Sequence, residues 1–238
     1  MQTETGKTVR DLVLENPAAA RVFEKFRIDY CCGGHQSLSE ACNAANIRVD
    51  EVVAALEKPG SVPVEQDWQK TSLSELAQHI VDTHHVFTRG ELKRLEPLIV
   101  KVVEAHGKNH PELMRVRSLL RELAQELTMH MMKEEQILFP YITEMEAAVT
   151  SKRPLPPAMF GTVQNPVYMM TMEHDSAGQA LHELRKVTNG YALPSDACLA
   201  YQTLFRALAA FEADLHYHIH LENNILFPRA LKMEDKAF

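Results

Sequence analysis

Two stretches of this chain repeat one another. HMMKEEQILFP at 130–140 and HIHLENNILFP at 218–228 share His, Glu, Ile, Leu, Phe and Pro at a constant offset of 88. Each copy sets a His and a Glu four positions apart: His130 with Glu134, and His218 with Glu222. On an α-helix such residues lie one turn apart on one face, so both side chains reach the same place. Upstream, His85 in THHVF and His174 in MEHD stand at an offset of 89. The pattern reads as a duplicated helical hairpin, with one His on its first helix and His-x-x-x-Glu on its second. Two such hairpins packed together make a four-helix bundle with ligands converging inside it.

The rest of the sequence fits an all-α protein. The segment SLSELAQHIVDTHHVFTRGELKRLEPLIVKVVEA keeps apolar residues at i, i+3, i+4 and i+7. Pro97 within it is expected to kink or break the helix. His110-Pro111-Glu112 opens the next helix, SKRPLPPAMFGTVQ reads as a crossover, and Asn165-Pro166 opens the third helix. Asn189-Gly190 closes that helix, and Ser195 caps the fourth. Ahead of these lie shorter helical stretches: one after Asn16-Pro17, one opened by a Ser37/Glu40 capping box, and one capped by Asp50. The turn-rich run PGSVPVEQDW marks a boundary. The expected organisation is all-α: a small helical domain over 1–60, a linker over 61–71, and a four-helix bundle over 72–235.

Four imidazoles (His85, His130, His174, His218) and two carboxylates (Glu134, Glu222) form a mixed donor set that suits iron or manganese better than zinc. If each Glu bridges two metals, every metal gains about four protein bonds and, with an oxo or hydroxo bridge, keeps roughly one open position. His84 competes with His85, and the 89-residue offset favours His85. Glu135 and Glu173 adjoin the candidates but point about 100° away, as supporting groups. His216 and His220 flank His218 on other faces and are expected at the surface. The methionines around both motifs (Met129, Met131, Met132, Met169, Met170, Met172) read as adaptable core.

Composition narrows the function further. The net charge is −7 with no basic block, which argues against nucleic acid as a partner. No apolar run approaches the ~20 residues of a membrane span. MQTETGKTVRDLV has no apolar core of a secretory signal, so the cytoplasm is the expected compartment. The four cysteines (Cys31, Cys32, Cys42, Cys198) do not form a disulfide framework. Cys31 and Cys32 sit in the turn DYCCGG, where Gly33 and Gly34 allow positive φ and close backbone approach. A helix N-terminus follows, which favours a reactive or iron-handling thiol pair. Cys42 and Cys198 read as buried, inert residues.

With DYCCGG at 29–34, EHDSAG at 173–178, and both His-x-x-x-Glu motifs in order, the chain resembles the iron–sulfur cluster repair di-iron proteins. The likeness runs over nearly the whole sequence. It implies that the four-helix bundle is hemerythrin-like, with two non-haem irons held by His85, His130, Glu134, His174, His218 and Glu222 and the two glutamates bridging. It also implies restoration of iron–sulfur clusters damaged by nitric oxide or oxidants, with those cluster proteins as partners. Three activities stay open: iron donation with Cys31 and Cys32 as a relay, reduction of nitric oxide, and binding or sensing of NO or O2 without turnover. Homodimerisation is left open too.

Overall fold

The computed structural model describes residues 6–31, 33–57 and 67–236, and among them helices account for all extended regular structure. The one β-type contact among the described residues is an isolated antiparallel bridge between Thr8 and Ser37. Two compact units emerge: residues 1–72 with 216–229, and residues 73–215 with 230–238.

The first unit holds four short helices: α1 (Val9–Glu15), α2 (Ala19–Phe26), α3 (Leu38–Ala44) and α4 (Val49–Leu56). Their ends are closed locally. Thr8 accepts from the Asp11 N–H at the start of α1, and the Ser37/Glu40 capping box is fully formed at α3. The Val9 and Arg10 amides of α1 donate to the Gln36 and Gly34 carbonyls, so two orphan donors of that helix are used up by the turn before α3. The start of α2 departs from expectation: the Asn16 side chain accepts from Ala18, and α2 begins at Ala19 rather than at Pro17. Asp50 does not cap α4. It sits in the first turn and pairs with Arg48, the N-cap residue. Phe23, Tyr30, Leu38, Cys42 and Val52 fill the core. Arg229 ties the end of this unit by donating to the Trp68 and Thr71 carbonyls.

The second unit is the bundle. Its helices are α5 (Leu73–His79), α6 (Val86–His106), α7 (Glu112–Lys133), α8 (Phe139–Thr150), α9 (Gln164–Val187), α10 (Leu199–Leu221) and α11 (Phe227–Asp235), the last two shared with the first unit. α7 packs along α9 and α6, and α5 along α8. The opening amides of α5, Leu73 and Ser74, donate to the Glu146 carboxylate of α8. Glu212 on α10 is buried and accepts two hydrogen bonds from Arg185 of α9. Tyr201 on α10 packs edge-on against His106 and His110.

Pro97 does not break its helix; α6 runs straight through it. Residues 93 and 97 are exposed, so the Lys93 carbonyl that loses its i+4 donor faces water. The irregularities lie elsewhere, in three π-helical turns: Ile80–His85, Glu134–Leu138 and Glu222–Leu226. Pro140 and Pro228 each take the second position of the α-helix that resumes after a π turn. A proline there lacks the N–H that an uninterrupted helix would need, and the widened turn absorbs that loss. The fourth helix starts later than the Ser195 cap suggested, at Leu199, which leaves Cys198 at its mouth.

His110 joins two loops of the bundle, bonding Glu112 through Nδ1 and Asp196 through Nε2, both at 2.9 Å. Asp196 and then Glu112 raise its pKa, and His110 in turn lowers that of Asp196. The stabilisation from His110 is therefore complete below its unfolded pKa and lost as pH rises through the folded one. That from Asp196 is lost as pH falls through its own lowered value. NMR titration of His110 should give a pKa above 6.5 in the native chain and a lower value in Asp196→Asn. An unchanged value in the variant would remove Asp196 as the cause.

Candidate metal centre

The π turns carry the candidate ligands. His85 is the last residue of the first, while Glu134 and Glu222 open the second and third. His130 and His218 lie on the turn before, at the ends of α7 and α10, and His174 is mid-way along α9. All six side chains are 2% exposed or less.

Within the bundle unit, four of the six converge. His174 Nε2 faces His130 Nε2 at 3.0 Å. His130 Nε2 is 3.2 Å from Glu134 Oε2, and His85 Nε2 is 3.4 Å from the same oxygen. His130, Glu134 and His174 each bring a ligand atom within 4.8 Å of the others. In the first unit, His218 Nε2 lies 2.9 Å from Glu222 Oε1. His84, the competitor of His85, is also buried but turns its Nδ1 to Asp214 at 3.0 Å.

Carboxylates behind the imidazoles set their tautomers. Glu135 accepts from His85 Nδ1 at 2.7 Å and is itself held by Arg89. Glu173 accepts from His130 Nδ1 at 2.9 Å and pairs with Lys133. These are the supporting roles expected for Glu135 and Glu173. The His130 hydrogen bond, reinforced by Lys133, brings the Glu173 carboxyl down to about 2, so it stays ionised. With Nδ1–H given away, Nε2 of His85 and of His130 keeps its lone pair, the form that binds a metal. The inward donors are then imidazole lone pairs and a fully buried carboxylate, crowded at 3.0–3.4 Å. Such a set is satisfied by a cation among them. The residues present fit a metal centre.

Several side readings need correction. His220 is 2% exposed, and burial pushes its pKa down to about 4. His216 is half-buried and bonds Glu24 at 2.8 Å. Neither is a surface residue, because residues 216–229 pack with the N-terminal helices. Of the methionines, Met131 and Met170 are core, whereas Met129, Met132, Met169 and Met172 are exposed. Cys32 lies outside the described residues. Cys31 is buried, and its Sγ–H donates to Asp29 at 3.2 Å. The next helix does not offer its N-terminus to the thiol, since the Ser37/Glu40 box closes it. Gly33 and Gly34 are not in the positive-φ region. Gly34 is required by close approach, because a Cβ there would sit 2.5 Å from the Tyr30 carbonyl oxygen. Cys42 is buried as expected, but Cys198 is exposed at the start of α10.

The model of the hemerythrin HHE cation binding domain matches residues 76–230, and a domain of unknown function (DUF542) matches residues 5–59. The chain is 36% identical to the iron–sulfur cluster repair protein YtfE of Escherichia coli O81 (strain ED1a), over 94% of this chain and 96% of that one. The same identity and coverage hold for the YtfE proteins of Escherichia coli SMS-3-5 and Escherichia fergusonii. The chain belongs to the hemerythrin-like iron–sulfur cluster repair family. Its family model spans all six buried His and Glu residues, and the DUF542 match spans Cys31 and Cys32. No described helix is long and apolar enough to cross a membrane.

The thiols differ in a way that can be read directly. The Tyr201 amide and then His106 lower the Cys198 pKa, while burial raises that of Cys42. Brief alkylation of native protein near neutral pH, mapped by mass spectrometry, should modify Cys198 first and leave Cys42 unmodified until the chain unfolds. Equal labelling of the two would refute this ordering.

Proposed function

We propose that this chain is a cytoplasmic di-iron protein that restores iron–sulfur clusters damaged by nitric oxide or oxidative stress, giving up iron as its cargo. The observation that carries the reading is the buried convergence of His and Glu side chains. Within the bundle unit, His130, Glu134 and His174 offer atoms within 4.8 Å of one another and His85 reaches the same Glu134 oxygen, while His218 and Glu222 are paired in the first unit. In this reading Glu134 and Glu222 are the bridging carboxylates. We assign the four imidazoles (His85, His130, His174, His218) and the two shared carboxylates to two irons joined by an oxo or hydroxo group. When bound, the irons supply redox chemistry and open positions for NO or O2. The names of the relatives supply the repair role.

The chain's own residues have definable tasks. Glu135 and Glu173 orient His85 and His130 and keep their inward nitrogens unprotonated. Phe139, stacked on His85 with ring centroids 5.8 Å apart, limits water. An imidazole-rich set carries less negative charge than a carboxylate-rich one and holds the metal less firmly, which suits a donor. Cys31 and Cys32 serve as the relay between this store and a damaged cluster.

Elemental analysis tests the centre. Wild-type protein should carry two irons per chain, whereas Glu222→Ala and His174→Ala should each lose at least one. Full occupancy of an unaltered site in Glu222→Ala would defeat the assignment. Glu173→Gln should bind iron about 10–100-fold more weakly while folding normally, the usual effect of losing a carboxylate behind a ligating His.

A repair assay tests the role. Activity recovered by a nitrosylated iron–sulfur enzyme should fall to background with the double variant Cys31→Ala, Cys32→Ala, although its iron content is unchanged. Full repair by that variant would exclude the thiol relay. Steady consumption of nitric oxide by the pure protein and an electron donor would instead indicate a reductase.

A further inference from the structure

The two copies of the repeat differ at five positions, and two of these form a pair. Interleaved with His218 and Glu222 is a second i, i+4 pair, His220 and Asn224. Two residues of helix turn the face by about 200°, so this pair points away from the candidate ligands. In the first copy the same places hold Met132 and Gln136, both exposed. In the second, His220 and Asn224 are both buried, at 2% and 6% exposure.

Both side chains reach the turn that carries Cys31. The Asn224 side-chain amide donates to His220 Nδ1 at 2.9 Å, which leaves His220 Nε2 as the protonated nitrogen. The His220 ring donates to the Tyr30 carbonyl. Asn224 Nδ2 reaches the same oxygen at 3.4 Å, and Arg10 donates to the Asn224 carbonyl. The Tyr30 ring stands edge-on to His220 with centroids 5.6 Å apart. One residue before it, Asp29 folds the turn by accepting from the Cys31 and Gly33 amides and from the Cys31 thiol. The Tyr30 carbonyl is thus gripped from the helical turn that carries His218 and Glu222 on its other face.

We propose that His220 and Asn224 are positioning residues that couple metal occupancy at His218 and Glu222 to the conformation of the Cys31 turn. The inference rests on the metal assignment above. Filling the site fixes the end of α10 and its π turn. The opposite face of that turn then holds Tyr30, and with it Cys31, in one place. Loss of metal frees the helical turn, loosens the Tyr30 carbonyl and exposes the thiol. Met132 and Gln136 of the first copy are exposed and make no such bonds among the described residues, so the second copy is the one that reports its state to the Cys31 turn.

Hydrogen–deuterium exchange on the full chain tests this, with and without iron. In wild type, exchange over residues 28–36 should slow about tenfold on loading, the scale of one or two buried hydrogen bonds. Amides of α3 should change far less. In Asn224→Ala the loaded and unloaded curves over 28–36 should coincide, with iron content unchanged. The double variant His220→Met, Asn224→Gln, which imports the first copy's residues, should behave alike and guards against a folding defect in the alanine variant. Equal exchange of loaded and unloaded wild type, with iron bound, overturns the coupling and leaves the metal centre standing. Retained dependence in both variants also overturns it. A wild-type chain that binds no iron overturns the metal assignment and the coupling together.

Discussion

Two carboxylates with no solvent exposure, Glu134 and Glu222, set the terms for everything around them. An ionised carboxylate moved into a protein interior costs several kcal/mol unless charge and hydrogen bonds compensate it. Neutral imidazoles alone do not supply that charge. The fold therefore makes sense as a scaffold around a cation, with outer carboxylates and their Arg89 and Lys133 partners stepping the charge outward to the surface. Helix packing, by contrast, is ordinary: leucine-rich seams, a buried Arg185–Glu212 pair, and capped ends. The bundle could be built from many sequences, but the convergence on Glu134 could not.

Much of this was legible from residue types and spacing. The duplicated His-x-x-x-Glu pattern pointed to all-α architecture and to six buried side chains, because i, i+4 geometry is a local property. The preference for His85 over His84 came from register against His174, and the structure turns His85 toward Glu134 and His84 toward Asp214. What could not be read was tertiary. His220 looked like a surface residue because its partner, the Tyr30 carbonyl, is 190 positions away. Cys198 looked inert because the start of α10 was placed too early. Pro97 looked disruptive because nothing local says that the freed carbonyl at Lys93 faces water.

The exposed methionines teach a similar lesson. Helical periodicity puts Met131 and Met170 inside, and the same periodicity leaves Met129, Met132, Met169 and Met172 outside. Treating them as one cluster ignored the 3.6-residue repeat that placed the ligands correctly. Asymmetry between the repeat copies was visible in the letters as well. Its meaning depended on knowing which copy meets the N-terminal helices.

The three π turns have a consequence for how such a chain can vary. A π turn holds one residue more than the α turn it replaces, so it acts as a stored insertion within the helix. Everything beyond it is rotated by about 100° relative to an uninterrupted helix. Leu138 and Phe139, or Leu226 and Phe227, can thus face the core while Glu134 and Glu222 face inward a turn earlier. Ligand geometry and core packing obey separate registers on one continuous helix. Lineages can then drift in the outer halves of these helices without disturbing the centre, provided that the length of each π turn is kept.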